Sequence, residues 1–269
     1  MTRLRGFARV DGRPRIIGHR GVRSVPSGLD GHVAHDGRAD AVPPENTLPA
    51  FEQALREGAE GVELDVRVCA TGELVVVHDA TLDHVTAGAD TRAVDALSWS
   101  ELARVPLASG AHVPRLAEVL AFARARKLPV NVELKRDVPS RTALVTAAAR
   151  LLRAWDPAHP VLVSSFDPGM LAGFALLAPR VPRAMLVHHE QWRRVALLAS
   201  RPLRVDAVHL ERTLATPELV ARLHALGRLV NVWTVNDVDE ARRLATAGVD
   251  AIITDVPARI LAALERRTV

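Results

Sequence analysis

Lysine is nearly missing from this chain: of 35 basic residues only Lys127 and Lys135 are lysine, and the rest are arginine. The arginines are scattered among 31 acidic residues, so no basic arm or stripe suited to nucleic acid stands out, and the net charge of +4 reads as a compositional taste for arginine. A lysine kept against that background offers a compact point charge that arginine does not, which draws attention to Lys135. Cysteine is limited to Cys69, so no internal disulfide can form and an oxidising compartment is not implied. With no partner to make it a nucleophile, Cys69 reads as a small apolar filler. Long hydrophobic runs are absent too. No stretch approaches the ~18 apolar residues of a membrane span, and the arginine-bearing start of the chain lacks the apolar core of a signal peptide. A cytoplasmic protein with no membrane span and no nucleic-acid partner is expected; the oligomeric state cannot be read.

What is present is alternation. Strand-like runs fall at 15–18, 61–68, 74–78, 129–135, 161–165, 183–188, 206–210, 229–235 and 250–254, and most are separated by amphipathic stretches of helical length. Thr47 to Glu57 places Leu48, Phe51 and Leu55 on one helical face. Asp237-Val-Asp-Glu240 reads as a capping box and Gly248 as the matching C-cap. Alternating strand and helix over 269 residues predicts a parallel α/β fold, and about 250 residues suffice for one eightfold barrel. Nine runs are one too many for that barrel. No helix fits between 61–68 and 74–78, so these are expected to form an antiparallel hairpin, and a two-residue turn at Thr71-Gly72 would set His78 across from Asp65. Strand parity turns Asn131, Glu133 and Lys135 inward, and Asn231 and Trp233 likewise.

Four polar clusters end these runs: His19-Arg20-Gly21, Glu63-Leu-Asp65, His78-Asp79 and Glu133-Leu-Lys135. A barrel would gather them at one mouth. Cleaving a phosphodiester requires neutralisation of the phosphoryl oxygens, an activated nucleophile and a proton for the leaving oxygen. Glu63, Asp65 and Glu133 offer oxygens to one hard divalent cation, Ca²⁺ or Mg²⁺, with Mn²⁺ a further candidate. His19 and His78 suit acid and base duty near neutrality. Arg20 and Lys135 suit the non-bridging oxygens.

The ordered series of motifs resembles the glycerophosphodiester phosphodiesterases. It comprises Gly18-His-Arg-Gly21, Pro44-Glu-Asn-Thr47, Gly58-Ala59 with Glu63-Leu-Asp-Val66, and Thr71-Gly-Glu-Leu-Val-Val-Val-His-Asp79. Thr81-Leu82, Val113-Pro-Arg-Leu-Ala-Glu-Val-Leu120, Val132-Glu-Leu-Lys135, Ser165-Phe166, Trp233-Thr-Val-Asn236 and Thr254-Asp-Val-Pro257 follow. The resemblance implies a TIM-type (β/α)₈ barrel with a β-hairpin extension at 61–78. It implies hydrolysis of glycerophosphodiesters to sn-glycerol 3-phosphate and an alcohol, with a cation on Glu63, Asp65 and Glu133 and acid/base work by His19 and His78. Arg20 and Lys135 would bind phosphate, Glu45 would hold Arg20 or the glycerol end, and Trp233 would wall the substrate pocket.

On this reading residues 1–14 are an N-terminal extension and 15–269 one barrel domain, with 22–43 an inserted loop over the mouth. That loop is longer than the resemblance leads one to expect. It is rich in Gly, Asp, His and Arg, and its His32-Val-Ala-His35-Asp36 could offer ligands to a second metal. The stretch 80–112 is expected to be compact. Two alternatives stand beside the main reading: a lysophospholipase D-type activity on longer lipid substrates, and a non-catalytic barrel that binds phosphoryl ligands.

Overall fold

The computed structural model describes residues 2–23, 42–156, 158–190 and 205–265. Eight parallel strands close into a barrel: β1 (Arg15–Gly18), β2 (Gly61–Val68), β4 (Val130–Leu134), β5 (Val161–Ser165), β6 (Arg183–Val187), β7 (Ala207–Glu211), β8 (Leu229–Trp233) and β9 (Ala251–Thr254). The ninth strand, β3 (Leu74–Val76), runs antiparallel to β2. The ring closes because β1 pairs with β2 on one edge and β9 on the other. Helices follow the strands: α1 (Leu48–Arg56), the single turn α2 (Trp99–Leu102), α3 (Leu116–Ala125), α4 (Arg141–Arg153), α5 (Pro168–Leu177), α6 (Pro217–Ala225), α7 (Val238–Ala247) and α8 (Pro257–Glu265). No helix among the described residues is long and apolar enough to cross a membrane.

The helix boundaries follow from local chemistry. Thr47 caps α1 by accepting from the Ala50 N–H, with a proline in the first turn whose missing donor costs nothing there. Asp237 caps α7 through the Glu240 N–H, and Gly248 ends it at φ 88°. The expected box is only half made: the Glu240 carboxylate pairs with Arg212 at 2.9 Å and with Arg243 at 3.5 Å.

Alternation then sorts the strands. Outward residues such as Val130, Val132 and Leu134 pack into the layer between sheet and helices. Inward residues differ by height. At the strand starts Ile17, Leu162, Ala184, Ala207, Ala251 and Ile253 cluster with the fully buried Phe7, which the N-terminal segment inserts as a stopper. At the strand ends the inward residues are polar.

The β2–β3 hairpin forms, one residue out of the expected register. Val66 pairs with Val76 and Val68 with Leu74. Beyond them the Cys69 N–H reaches the Glu73 carbonyl at 3.0 Å, leaving Ala70, Thr71 and Gly72 as a three-residue loop. Gly72 at φ 89° supplies the left-handed position this loop length demands. Asp65 therefore lies opposite Val77, whose N–H donates to the Asp65 carbonyl, and His78 is not directly across from it. Instead the chain bends after the strand, and the buried Arg67 pins the bend by donating to the carbonyls of His78 and Asp137, both at 2.8 Å.

The stretch 80–112 is more than a compact connection. Leu82, Val94, Leu97, Leu102, Val105 and Leu107 build a small core of their own against Val75 and Val77, and Cys69 is buried within it. Of the inserted loop, only Val22, Arg23, Val42 and Pro43 are described; the His32 and His35 pair lies outside the described residues.

Candidate active site

The polar clusters meet at the C-terminal mouth for reasons of register. Asp65 on β2 pairs beside Glu133 on β4, and Glu63 beside Asn131, so their side chains are aimed at the same interior space. One donor oxygen from each of Glu63, Asp65 and Glu133 lies within 4.8 Å of the others, and all three residues are buried. Two cations serve the group. Lys135 Nζ lies 3.1 Å from Glu133 Oε1 and 3.3 Å from Asp65 Oδ1. The Arg20 guanidinium lies 3.1 Å from Asp65 Oδ2, and its backbone N–H donates to Glu63 Oε2 at 3.1 Å.

The turn after β1 makes that possible. Arg20 sits at φ 51° and Gly21 at φ 89°. A Cβ on Gly21 would meet the Ala50 backbone at 2.7 Å, so this tight approach to α1 excludes larger residues. Arg20 also donates to Glu45 Oε1 at 2.8 Å, and Arg23 holds the other oxygen of Glu45 at 2.6 Å.

Each histidine has a carboxylate behind it. His19 Nδ1 lies 2.8 Å from Asp255 Oδ1, while its Nε2 is 4.0 Å from Glu63 Oε2. Asn236 donates to Asp255 Oδ2 at 2.7 Å and fixes that carboxylate in turn. His78 Nδ1 lies 2.7 Å from Asp79 Oδ1. Asn46 clamps Asp65 from both sides, donating to Oδ2 at 3.0 Å and accepting from the Asp65 N–H at 3.2 Å. Asn46, Asp79, Asn236 and Asp255 were given no role from sequence. Their signal was present, since each lies within or beside a quoted motif at a strand or turn end.

The electrostatics describe a site short of positive charge. Burial, then the neighbouring Asp65 and Glu133, push the Glu63 carboxyl well above its ordinary range. Burial also raises Glu133, against the pull of Lys135. Asp65 is buried as deeply, yet Lys135 and Arg20 outweigh that and hold it below the usual carboxylate range. Burial lowers His78 more than Asp65 raises it. Three buried carboxylates with no thiolate among them form the donor set of a hard divalent cation, and the raised glutamates fit one; this set could hold a metal ion.

Across the mouth, Trp233 meets Phe166 edge-on at 5.5 Å and stacks over His188 at 6.1 Å. Its indole N–H donates to the His209 carbonyl at 3.1 Å. An apolar groove lies at the other end of β5 and β6, lined by Trp155, His159 and Val181 among others, away from all of these residues.

The sequence model of the glycerophosphoryl diester phosphodiesterase family matches residues 35–259. The chain belongs to that family. It is an enzyme of that class, a phosphoric diester hydrolase. It is 32% identical over 224 residues to the glycerophosphodiester phosphodiesterase of Bacillus altitudinis, covering 80% of this chain and 91% of that one. It is 30% identical over 241 residues to the glycerophosphodiester phosphodiesterase of Caldanaerobacter subterraneus, covering 85% and 95%. Among solved structures, a candidate glycerophosphoryl diester phosphodiesterase from Silicibacter pomeroyi superposes with a TM-score of 0.81 at 28% identity, over 98% of this chain and 97% of that one. The family assignment and the closed barrel agree with the resemblance read from the motifs.

Proposed function

We propose that this phosphodiesterase hydrolyses glycerophosphodiesters to sn-glycerol 3-phosphate and an alcohol, with a divalent cation held by Glu63, Asp65 and Glu133. The observation that carries the reading is the convergence of three buried carboxylates, the buried Lys135, the partly buried Arg20 and two carboxylate-backed histidines at one barrel mouth. The cation supplies charge neutralisation at the phosphoryl group. The chain's own residues do the rest.

Arg20 and Lys135 hold non-bridging oxygens, and Glu45 and Asn46 hold Arg20 and Asp65 in place for that contact. Asp255 and Asp79 occupy Nδ1 of His19 and His78, which leaves Nε2 of each imidazole for proton transfer. One histidine accepts the proton of the attacking group, which is either water or the glycerol 2-hydroxyl, the latter giving a cyclic phosphate that water then opens. The other delivers a proton to the alcohol oxygen as its bond to phosphorus breaks. Trp233 walls the substrate pocket. Residues 15–269 act as one catalytic domain in a reducing, cytoplasmic setting that suits a single buried cysteine.

The test is release of sn-glycerol 3-phosphate from glycerophosphocholine and glycerophosphoethanolamine, with EDTA and after separate return of Ca²⁺, Mg²⁺ and Mn²⁺. Turnover should stop with the chelator and resume with one ion. Undiminished turnover in EDTA would refute the metal role, and no turnover with any ion by folded protein would refute the substrate class.

A further inference from the structure

The mouth carries a second group of metal-competent side chains that the reading above does not use. Register creates it. Val187 on β6 pairs beside Leu210 on β7, so one step further His188 comes level with Glu211, and Glu211 pairs beside Trp233 on β8. Alternation turns Glu211 and Trp233 to the inner side, as it does His209 and Asn231 below them.

The three donors are close and differ in chemistry from the carboxylate set. Glu211 Oε2 accepts from the His189 backbone N–H at 2.7 Å, lies 2.7 Å from His189 Nδ1 and lies 3.7 Å from His188 Nε2. Its other oxygen lies 3.4 Å from the Thr213 hydroxyl, a long contact. The imidazole rings of His188 and His189 lie 4.0 Å apart, and Trp233 stacks over His188. One donor atom from each of His188, His189 and Glu211 falls within 4.8 Å of the others. Tetrahedral Zn²⁺, with bonds of about 2.0–2.1 Å, sets its ligand atoms roughly 3.4 Å apart. The two separations from Glu211, 2.7 Å to His189 and 3.7 Å to His188, bracket that spacing.

We propose that His188, His189 and Glu211 bind one divalent transition-metal ion, Zn²⁺ first among candidates, across the barrel mouth from Glu63, Asp65 and Glu133. Two imidazoles and one carboxylate select borderline metals, whereas three carboxylates select hard ones, so the two sites divide the ions between them. On binding, the ion takes the place of the proton shared by His189 Nδ1 and Glu211 Oε2, which leaves to solvent. Metal on His188 Nε2 also places a proton on Nδ1, which gives up the contact from the Glu190 N–H; at 3.4 Å that contact is marginal. Three protein ligands would leave a fourth position for water or an oxygen of a bound molecule.

Co²⁺ titrated into the full chain under excess Mg²⁺ reports the site through its visible ligand-field absorption. One equivalent should give a band that Zn²⁺ abolishes by displacement. Glu211→Gln and His189→Asn should each weaken binding by about a hundredfold or more, while Glu63→Gln should leave it unchanged. His189 is about half exposed, so its variant should keep the wild-type thermal midpoint without metal and lose the upward shift that Zn²⁺ gives the wild type. No band in the wild type would overturn the proposal. So would a band that survives in both variants, or one lost only when His32 and His35 are replaced by Ala.

Discussion

His209 makes the stability of this barrel depend on pH in a way that one substitution can isolate. Its side chain is fully buried inside the barrel, with Asn231 Nδ2 3.0 Å from Nε2 and no partner for Nδ1 among the described residues. Burial alone pushes its pKa down to about 3 from an ordinary 6.5. The folded state thus keeps the ring neutral where the unfolded chain takes a proton, and stability falls as pH drops below the unfolded value. Each pH unit between 6.5 and 3 costs about 1.4 kcal/mol, so between pH 7 and pH 5 this residue accounts for a loss of about 2 kcal/mol. The loss saturates below the folded pKa. Urea unfolding of the wild type and of His209→Gln at both pH values separates this contribution from all others. The variant should be less stable at pH 7, for its altered packing, yet lose about 2 kcal/mol less on going to pH 5. Equal losses in both proteins would refute the reasoning and mean that water or a neighbour stabilises the charged ring.

Three further outcomes can be stated. Asp255→Asn leaves His19 without its carboxylate, so kcat should fall by about a hundredfold or more with little change in KM, as steady-state kinetics will check. His78→Ala should lower turnover by about 10²–10⁴-fold, and an unchanged thermal midpoint is expected because the side chain is 30% exposed. Phe7→Ala empties the barrel floor and should cost about 3–5 kcal/mol in urea unfolding; a cost under 1 kcal/mol would show that the segment is dispensable.

The strands were legible because their period is strict. Val130-Asn-Val-Glu-Leu134 can bury its valines against helices only by turning Asn131 and Glu133 inward, and the structure places them so. The hairpin register was not legible. A two-residue and a three-residue loop both accept Thr71-Gly72, and only the pairing of Cys69 with Glu73 decides between them. The small core of 80–112 stayed hidden because its apolar residues follow no single period. The pairing of carboxylates with the histidines was hidden for a different reason. His19 and Asp255 are 236 positions apart, and nothing local to either marks the other as its partner. Asp79 is next to His78, but adjacency in sequence alone does not imply a hydrogen bond.

The seam between β1 and β9 has a consequence for how the chain comes off the ribosome. Of the barrel strands β1 is made first and β9 last, and along this seam Arg15 pairs with Ala251 and Gly18 with Thr254. Until β9 emerges, β1 presents an open edge, the cluster around Phe7 lacks Ala251 and Ile253, and His19 has no Asp255 to lean on. Nascent barrel lacking its last strand therefore exposes both an unpaired strand and an unplugged floor. The catalytic mouth and the floor are completed by the same late event, so a chain stopped short of β9 would be both sticky and inactive.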